Sequence, residues 1–138
     1  MPALITNELT ERCLRKCLKS EGFELSPIRK NGQTGVDILA RMGEDAIYIE
    51  VIGFKEKPPS RSKDFFEVFF RAISRIKFDV KCSVIALPKR FEIGLPARAR
   101  HYGDSWIRIG STFPELEIWL VDTEIKSFRR TKWNDWAF

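Results

Sequence analysis

The stretch GVDILARMGEDAIYIEVI, residues 35–52, contains the pattern that decides the fold. Two segments rich in β-branched and other apolar residues, 36–41 and 46–52, lie on either side of the polar sequence MGED at 42–45. A connection of this length and composition is typical of a tight β-hairpin. The stretch therefore predicts two antiparallel strands joined by a short turn.

The predicted hairpin places two carboxylates opposite each other. A four-residue loop pairs residue 41 with residue 46, and a two-residue loop pairs residue 42 with residue 45. Both registers place Asp37 directly across from Glu50, with the two side chains on one face of the sheet. Two ionised carboxylates in these positions repel each other, which favours a cation between them or a proton on one of them.

Glu50 also interrupts an otherwise apolar strand, where an ionised carboxylate is costly without a partner. One interpretation is a hard divalent cation, Mg²⁺ or Mn²⁺, bound by Asp37 and Glu50 with the backbone carbonyl of Ile52 as a further ligand. The other interpretation is that Glu50 pairs with Arg41 or with an arginine of a helix, while Asp37 caps its strand. The residues alone leave both interpretations open.

The rest of the chain predicts further helices and strands. In chain order, we expect a helix over 7–21, strands over 23–28, 36–41 and 46–52, a helix over 61–77, a strand over 82–87, a helix over 95–102 and a strand over 117–121. A polar turn that contains Asn31-Gly32 separates the first two strands. Residues 55–60, which include two prolines, are interpreted as a linker, and the tail after Lys126 has no clear periodicity.

The composition is that of one folded domain. Of the 138 residues 43% are hydrophobic, including eleven Phe and four Trp, so we expect a single α/β domain over 1–138. No stretch without a charged residue is longer than 7 residues, whereas a membrane-spanning helix needs about 20 apolar ones. The first residues lack the features of a secretory signal, so we expect a cytoplasmic protein with no membrane partner. Three cysteines and one histidine indicate reduced thiols rather than a zinc site.

A surplus of positive charge lies in the second half of the chain. The net charge is +5, and residues 61–138 carry 15 basic against 10 acidic side chains, which suits a polyanionic partner such as nucleic acid. Arg71 and Arg75 share one helix face and are candidates for contacts with phosphates or with the two carboxylates. Arg98 and Arg100 form a second basic cluster that is a candidate for phosphate contacts. Ordinary solvent-exposed charge is the alternative for both pairs.

The C-terminal tail combines aromatic and basic residues. Phe128, Trp133, Trp136 and Phe138 alternate with arginines and a lysine. Such a tail stacks on nucleic-acid bases, packs on its own domain, or packs on a partner subunit. The last alternative makes a homodimer one further expectation.

The element order and the two acids together resemble the PD-(D/E)xK nuclease superfamily, which has the restriction-endonuclease-like fold. The resemblance covers about residues 6–88 and rests on Gly-Val-Asp37, on Ile-Glu50-Val-Ile52 and on the order of helices and strands. It implies an αβββαβ core with a mixed central sheet flanked by helices, and a Mg²⁺- or Mn²⁺-dependent endonuclease acting on DNA. It also implies that Asp37 and Glu50 hold the metal and that Glu11 is the additional acid found in members similar to Holliday-junction resolvases.

Residue 52 departs from the motif. The family carries a lysine two residues after the Glu, which polarises the attacking water and the scissile phosphate, whereas this chain has Ile52 there. Lys55 and Lys63 are the candidates that replace this lysine from displaced positions. The alternative is a catalytically degenerate module that keeps the fold and binds nucleic acid or a protein partner.

Overall fold

A mixed β-sheet forms the centre of the computed structural model, which describes residues 4–30, 33–77 and 80–138. Within these residues the strands are β1 (Glu24–Leu25), β2 (Ile38–Met42), β3 (Asp45–Val51), β4 (Cys82–Pro88), β5 (Leu116–Asp122) and β6 (Ser127–Lys132). They lie in the sheet in chain order. The β3–β4 and β4–β5 pairs are parallel, whereas the other three pairs of neighbours are antiparallel. The expectation of an α/β fold with a mixed central sheet is confirmed.

Helices cover both faces of this sheet. The α-helices are α1 (Asn7–Ser20), α2 (Pro58–Ser74), α3 (Leu95–Tyr102) and α4 (Asp104–Thr112), and two 3₁₀ turns span Lys89–Ile93 and Trp133–Ala137. α1 packs on one face of the sheet through Leu14 and Leu18. The other three helices pack on the opposite face through Phe65, Leu95 and Trp106. None of the helices in the described ranges is long and apolar enough to cross a bilayer.

The β2–β3 hairpin has the predicted register, with a loop of only two residues at 43–44. Gly43 has a φ of 61°, the left-handed conformation that such a turn requires and that glycine adopts without steric cost. The ladder ends with Ile38 opposite Ile49, and continuing the same register by one step sets Asp37 across from Glu50. The predicted turn at Asn31-Gly32 lies outside the described residues.

The bounds of α2 and of β1 differ most from the predicted ranges. The two prolines interpreted as part of a linker form the first turn of α2, where a backbone N–H has no partner within the helix and proline is therefore tolerated. α2 ends at Ser74 rather than Lys77, and the first strand spans only Glu24–Leu25 instead of 23–28.

The C-terminal tail contains β6 and a 3₁₀ turn, which the predicted order of elements lacked, as it lacked α4. β6 pairs along its whole length with β5, which covers one edge of that buried strand. Trp133 is 2% exposed, and its ring stacks on that of Trp106 with the centroids 3.8 Å apart. Trp133 and Trp136 therefore pack on their own domain, whereas Phe138 is 93% exposed.

Candidate functional site

Glu50 is a buried carboxylate held by Arg71, in the last turn of α2, and by Arg75, the residue that follows α2. Its residue is 1% exposed, in a central strand of the sheet. Arg75 donates a hydrogen bond from Nε to Oε2 at 3.0 Å, and Nε of Arg71 lies 3.5 Å from Oε1. The two arginines reach one carboxylate because residues four apart lie on the same side of a helix. The predicted contact of Arg71 and Arg75 with a site carboxylate is therefore confirmed for Glu50.

Burial and the charge of Asp37 together outweigh the two arginines in their effect on the pKa of Glu50. Loss of solvation raises the pKa of the Glu50 carboxyl, and the negative charge of Asp37 raises it further. The hydrogen bond from Arg75 and the charges of Arg75 and Arg71 lower this pKa, but the net shift is upward. The repulsion between Asp37 and Glu50 that the register predicts is thus present in the folded protein.

Asp37 closes the open end of the β2–β3 hairpin. Its Oδ2 accepts a hydrogen bond from the backbone N–H of Val51 at 2.8 Å, and its Oδ1 accepts one from the guanidinium of Arg29. The bond to Val51 continues the hairpin ladder through a side chain where the strand pairing ends. Asp37 caps its strand and Glu50 pairs with helix arginines, which are the two contacts of the second interpretation of this acid pair.

Arg15 connects α1 to the acid pair. Its side chain is buried, and Nε donates to Oε2 of Glu11 at 2.7 Å. Its two terminal nitrogens donate to the carbonyl oxygens of Ser26 at 2.6 Å and Asp37 at 2.9 Å. Glu11, the predicted additional acid, is thus linked to Asp37 through Arg15. This role of Arg15 was not predicted, although the four-residue spacing of Glu11 and Arg15 indicates an ion pair on one helix face.

The predicted lysines form ion pairs with other acids. Lys55 Nζ lies 3.0 Å from Asp64, and Lys63 Nζ lies 4.0 Å from Glu67. In the part of the chain that the structure describes, the cations that pair with the two acids are arginines 29, 71 and 75. Ile52, at the position of the motif lysine, is 2% exposed and belongs to the core beneath α2.

The second predicted basic cluster lies near the other end of α2. Arg98 donates to Oγ of Ser62 at 3.3 Å, and its Cζ lies 5.0 Å from the ring centroid of Phe65. Arg100 is exposed. Ser62 precedes Arg71 by about 13 Å along the helix axis, at about 1.5 Å per residue. The two predicted basic clusters are therefore separate, and only the one at Arg71 and Arg75 contacts the acid pair.

The carboxylate oxygens of the acid pair are engaged by other groups of this chain. A hard cation takes several oxygen ligands, but each carboxylate oxygen of Asp37 and Glu50 already faces a guanidinium or a backbone N–H. Glu11 is likewise occupied by Arg15. Among the described residues no group of three His, Cys, Asp or Glu side chains could hold a metal ion. In this arrangement the negative charge is neutralised by arginine.

In comparisons with known proteins, no family model, curated protein or solved structure matched this chain. The interpretation of the site therefore depends on its own geometry and charge.

Proposed function

We propose that this chain is a nucleic-acid-binding domain with a restriction-endonuclease-like core, in which arginines occupy the place of a catalytic cation. The succession α1, β1, β2, β3, α2, β4 supports the proposal because it matches the αβββαβ order that the resemblance implies. The acid pair also stands at the two motif positions of that core. The proposed domain keeps the architecture of a nuclease and binds its substrate class without cleaving it.

The observation that carries this proposal is the pairing of buried Glu50 with Arg71 and Arg75. Metal-assisted hydrolysis of a phosphodiester needs free carboxylate ligands and positive charge directed at the phosphate. Here the guanidinium groups are directed at Glu50 itself, and the position of the usual lysine holds Ile52. These contacts favour an acid pair whose charge is compensated within the chain over one that performs chemistry.

Nucleic acid is the partner that the charge distribution supports. The surplus of basic over acidic side chains lies entirely in residues 61–138, which supply most of α2 and all of α3. Lys and Arg side chains that neutralise phosphates make binding depend steeply on salt. DNA is the form we expect.

The proposal is tested by measuring DNA binding in the presence of EDTA at increasing salt. We expect binding at low salt that weakens with a log-log slope of about −0.9 for each duplex phosphate neutralised. Adding Mg²⁺ or Mn²⁺ should leave the DNA uncut. An absence of binding to both single-stranded and duplex DNA at low salt would contradict the proposal.

A metal-dependent endonuclease acting on DNA is the second candidate, favoured by the register that sets Asp37 across from Glu50. It requires Arg71 and Arg75 to leave the carboxylate. The test is nicking of supercoiled plasmid with Mn²⁺ or Mg²⁺ by wild type and by Asp37→Asn. Asp45→Asn is the matched control, since Asp45 is an exposed acid of the same hairpin. Nicking that only the Asp37 substitution abolishes would favour the enzyme.

If wild type nicks the plasmid, the lysine replacements can be compared directly. A lysine that stabilises charge at the phosphate should change the rate by a factor on the order of 10² when it is removed. Lys55→Ala and Lys63→Ala are the two variants to assay. If both variants nick the plasmid at the wild-type rate, neither lysine replaces the lysine of the motif.

A further inference from the structure

The outer surface of α2 beside α3 carries exposed aromatic rings. Phe66 is 48% exposed, Phe70 is 72% exposed and Tyr102 is 39% exposed. The rings of Phe66 and Tyr102 meet edge to face with the centroids 6.3 Å apart, and Phe70 follows Phe66 by about one helical turn. Adjacent aromatic rings that are exposed to solvent on one surface indicate a binding site. We call this surface, formed by Lys63, Phe66, Phe70, Arg98, Arg100 and Tyr102, the α2–α3 face.

Arginines held against aromatic rings border the α2–α3 face. Arg98 lies against the ring of Phe65 at 5.0 Å and is oriented by its hydrogen bond to Ser62. Cζ of Arg61, one residue before Ser62, lies 4.4 Å from the ring centroid of Phe54. Neither arginine forms an ion pair with a carboxylate in the described ranges of the chain. Two oriented guanidinium groups without an acidic partner attract an anion.

The charges around these arginines also favour an anion. Burial lowers the pKa of Arg98, and the positive charge of Arg61 lowers it further, so the two groups repel each other. An anion bound between them relieves this repulsion. α3 contributes Arg98 and Arg100 and contains no Asp or Glu. The acids of α2, Asp64 and Glu67, are each already paired with a lysine.

We infer that the α2–α3 face binds single-stranded nucleic acid, with bases stacked on Phe66 and Phe70 and phosphates beside Arg98. This inference rests on the proposed function and names the form of nucleic acid bound. Aromatic rings interspersed with cations are the means by which proteins hold single strands without reading their sequence. The positive charge around the rings complements the phosphates, whereas an uncharged apolar partner would leave it unmatched.

The spacing of the rings favours a single strand over a duplex. Phe66 and Phe70 are about 6 Å apart along the helix axis, whereas successive phosphates of a duplex strand advance by about 3.4 Å. Bases inside a duplex are stacked on one another and offer no free surface to a protein ring. A single strand can spread successive bases to meet both rings.

The inference is tested by fluorescence anisotropy with a labelled oligothymidylate and a labelled duplex of the same length, at low salt. We expect wild type to bind the single strand about tenfold more tightly than the duplex. Phe66→Ala and Phe70→Ala should each weaken single-strand binding by about tenfold, since stacking contributes roughly 1–3 kcal/mol per base. Phe70→Trp should keep the affinity because it keeps a ring. Phe138→Ala removes a ring elsewhere that is even more exposed, at 93%, and should change nothing.

The outcomes separate the two proposals. Equal affinity for both forms, together with unchanged binding by the Phe66 and Phe70 variants, overturns the inference while nucleic-acid binding itself stands. Binding of neither form overturns the proposed function. Light scattering on the same samples tests whether a second copy of this chain binds the α2–α3 face. If wild type is a dimer and Phe70→Ala dissociates it, the α2–α3 face is a contact between two copies and the inference is overturned.

Discussion

The Glu50 site and the α2–α3 face use arginine in opposite ways. At Glu50, Arg71 and Arg75 neutralise a buried carboxylate of the same chain. On the α2–α3 face, Arg98 lies against an aromatic ring and hydrogen-bonds to Ser62, and its charge has no acidic partner in the described ranges. The first arrangement satisfies its charges internally, so changing it should affect stability. The second leaves a charge available to a ligand, so changing it should affect binding.

The largest expected effect on stability comes from Arg75→Ala. Removing one partner of a buried ion pair leaves the other charge uncompensated, which costs about 3–5 kcal/mol for a fully buried pair. The Arg75 side chain is 29% exposed, so we expect a loss of about 2–3 kcal/mol in the free energy of unfolding, measured by urea denaturation.

The double variant Glu50→Gln/Arg75→Ala is the control for this prediction. It removes the charge that Arg75 compensates, so most of the lost stability should return. A double variant as unstable as Arg75→Ala alone would mean that Arg75 stabilises the fold through packing rather than through Glu50.

The next effect depends on pH. Because the folded-state pKa of Glu50 is raised, the native protein binds a proton more tightly than the unfolded chain does. Wild type therefore gains stability relative to Glu50→Gln as pH falls from neutral through the raised pKa. We expect Glu50→Gln to be the more stable at pH 7 and its advantage to shrink toward pH 4, measured as the difference in free energy of unfolding. An advantage that does not change with pH would contradict the raised pKa.

The sequence predicted the acid pair because a hairpin register depends on few local features. A glycine-containing turn and two short apolar segments leave little freedom in pairing, so the opposition of Asp37 and Glu50 follows from the positions of these residues alone. The cation that pairs with Glu50 does not follow from the hairpin register. It depends on how α2 crosses the sheet, and the four-residue spacing of Arg71 and Arg75 indicates a shared helix face without indicating what that face contacts.

The missed features are those in which tertiary contacts outweigh local pattern. β6 has the sequence SFRRTK, whose charged residues suit an exposed strand, and it becomes a strand because β5 offers it a free edge. Trp133 lies in an aromatic and basic tail without a periodic pattern, and it is buried because Trp106 of α4 provides a ring on which it stacks. Arg29 shows no sequence signal for its contact with Asp37, because Arg29 itself lies outside the described helices and strands.

Arg98→Gln tests the prediction that changes on the α2–α3 face affect binding more than stability. Because Arg98 has a ring and a serine as partners rather than a buried acid, its loss should change the free energy of unfolding by less than about 1 kcal/mol. Single-strand affinity should fall, and the salt slope should decrease in magnitude by about 1. Arg12→Gln removes the same charge from an exposed position of α1, on the opposite face of the sheet, and should leave both quantities unchanged. Equal effects of the two substitutions would indicate a general charge effect instead of a site.

Arg71 lies where the two regions meet, and its substitution should have a smaller effect on stability than that of Arg75. Its side chain is 45% exposed and its Nε lies 3.5 Å from Glu50. Solvent screens such a contact, so Arg71→Ala should cost less than about 1 kcal/mol in the free energy of unfolding. Arg71 also follows the exposed ring of Phe70 in α2, so the same variant should weaken single-strand binding more than Arg75→Ala does. Parallel urea denaturation and anisotropy measurements on both variants check this. A larger loss of stability in Arg71→Ala than in Arg75→Ala would mean that Arg71 is the main counter-charge of Glu50 and would remove the contrast between the two regions.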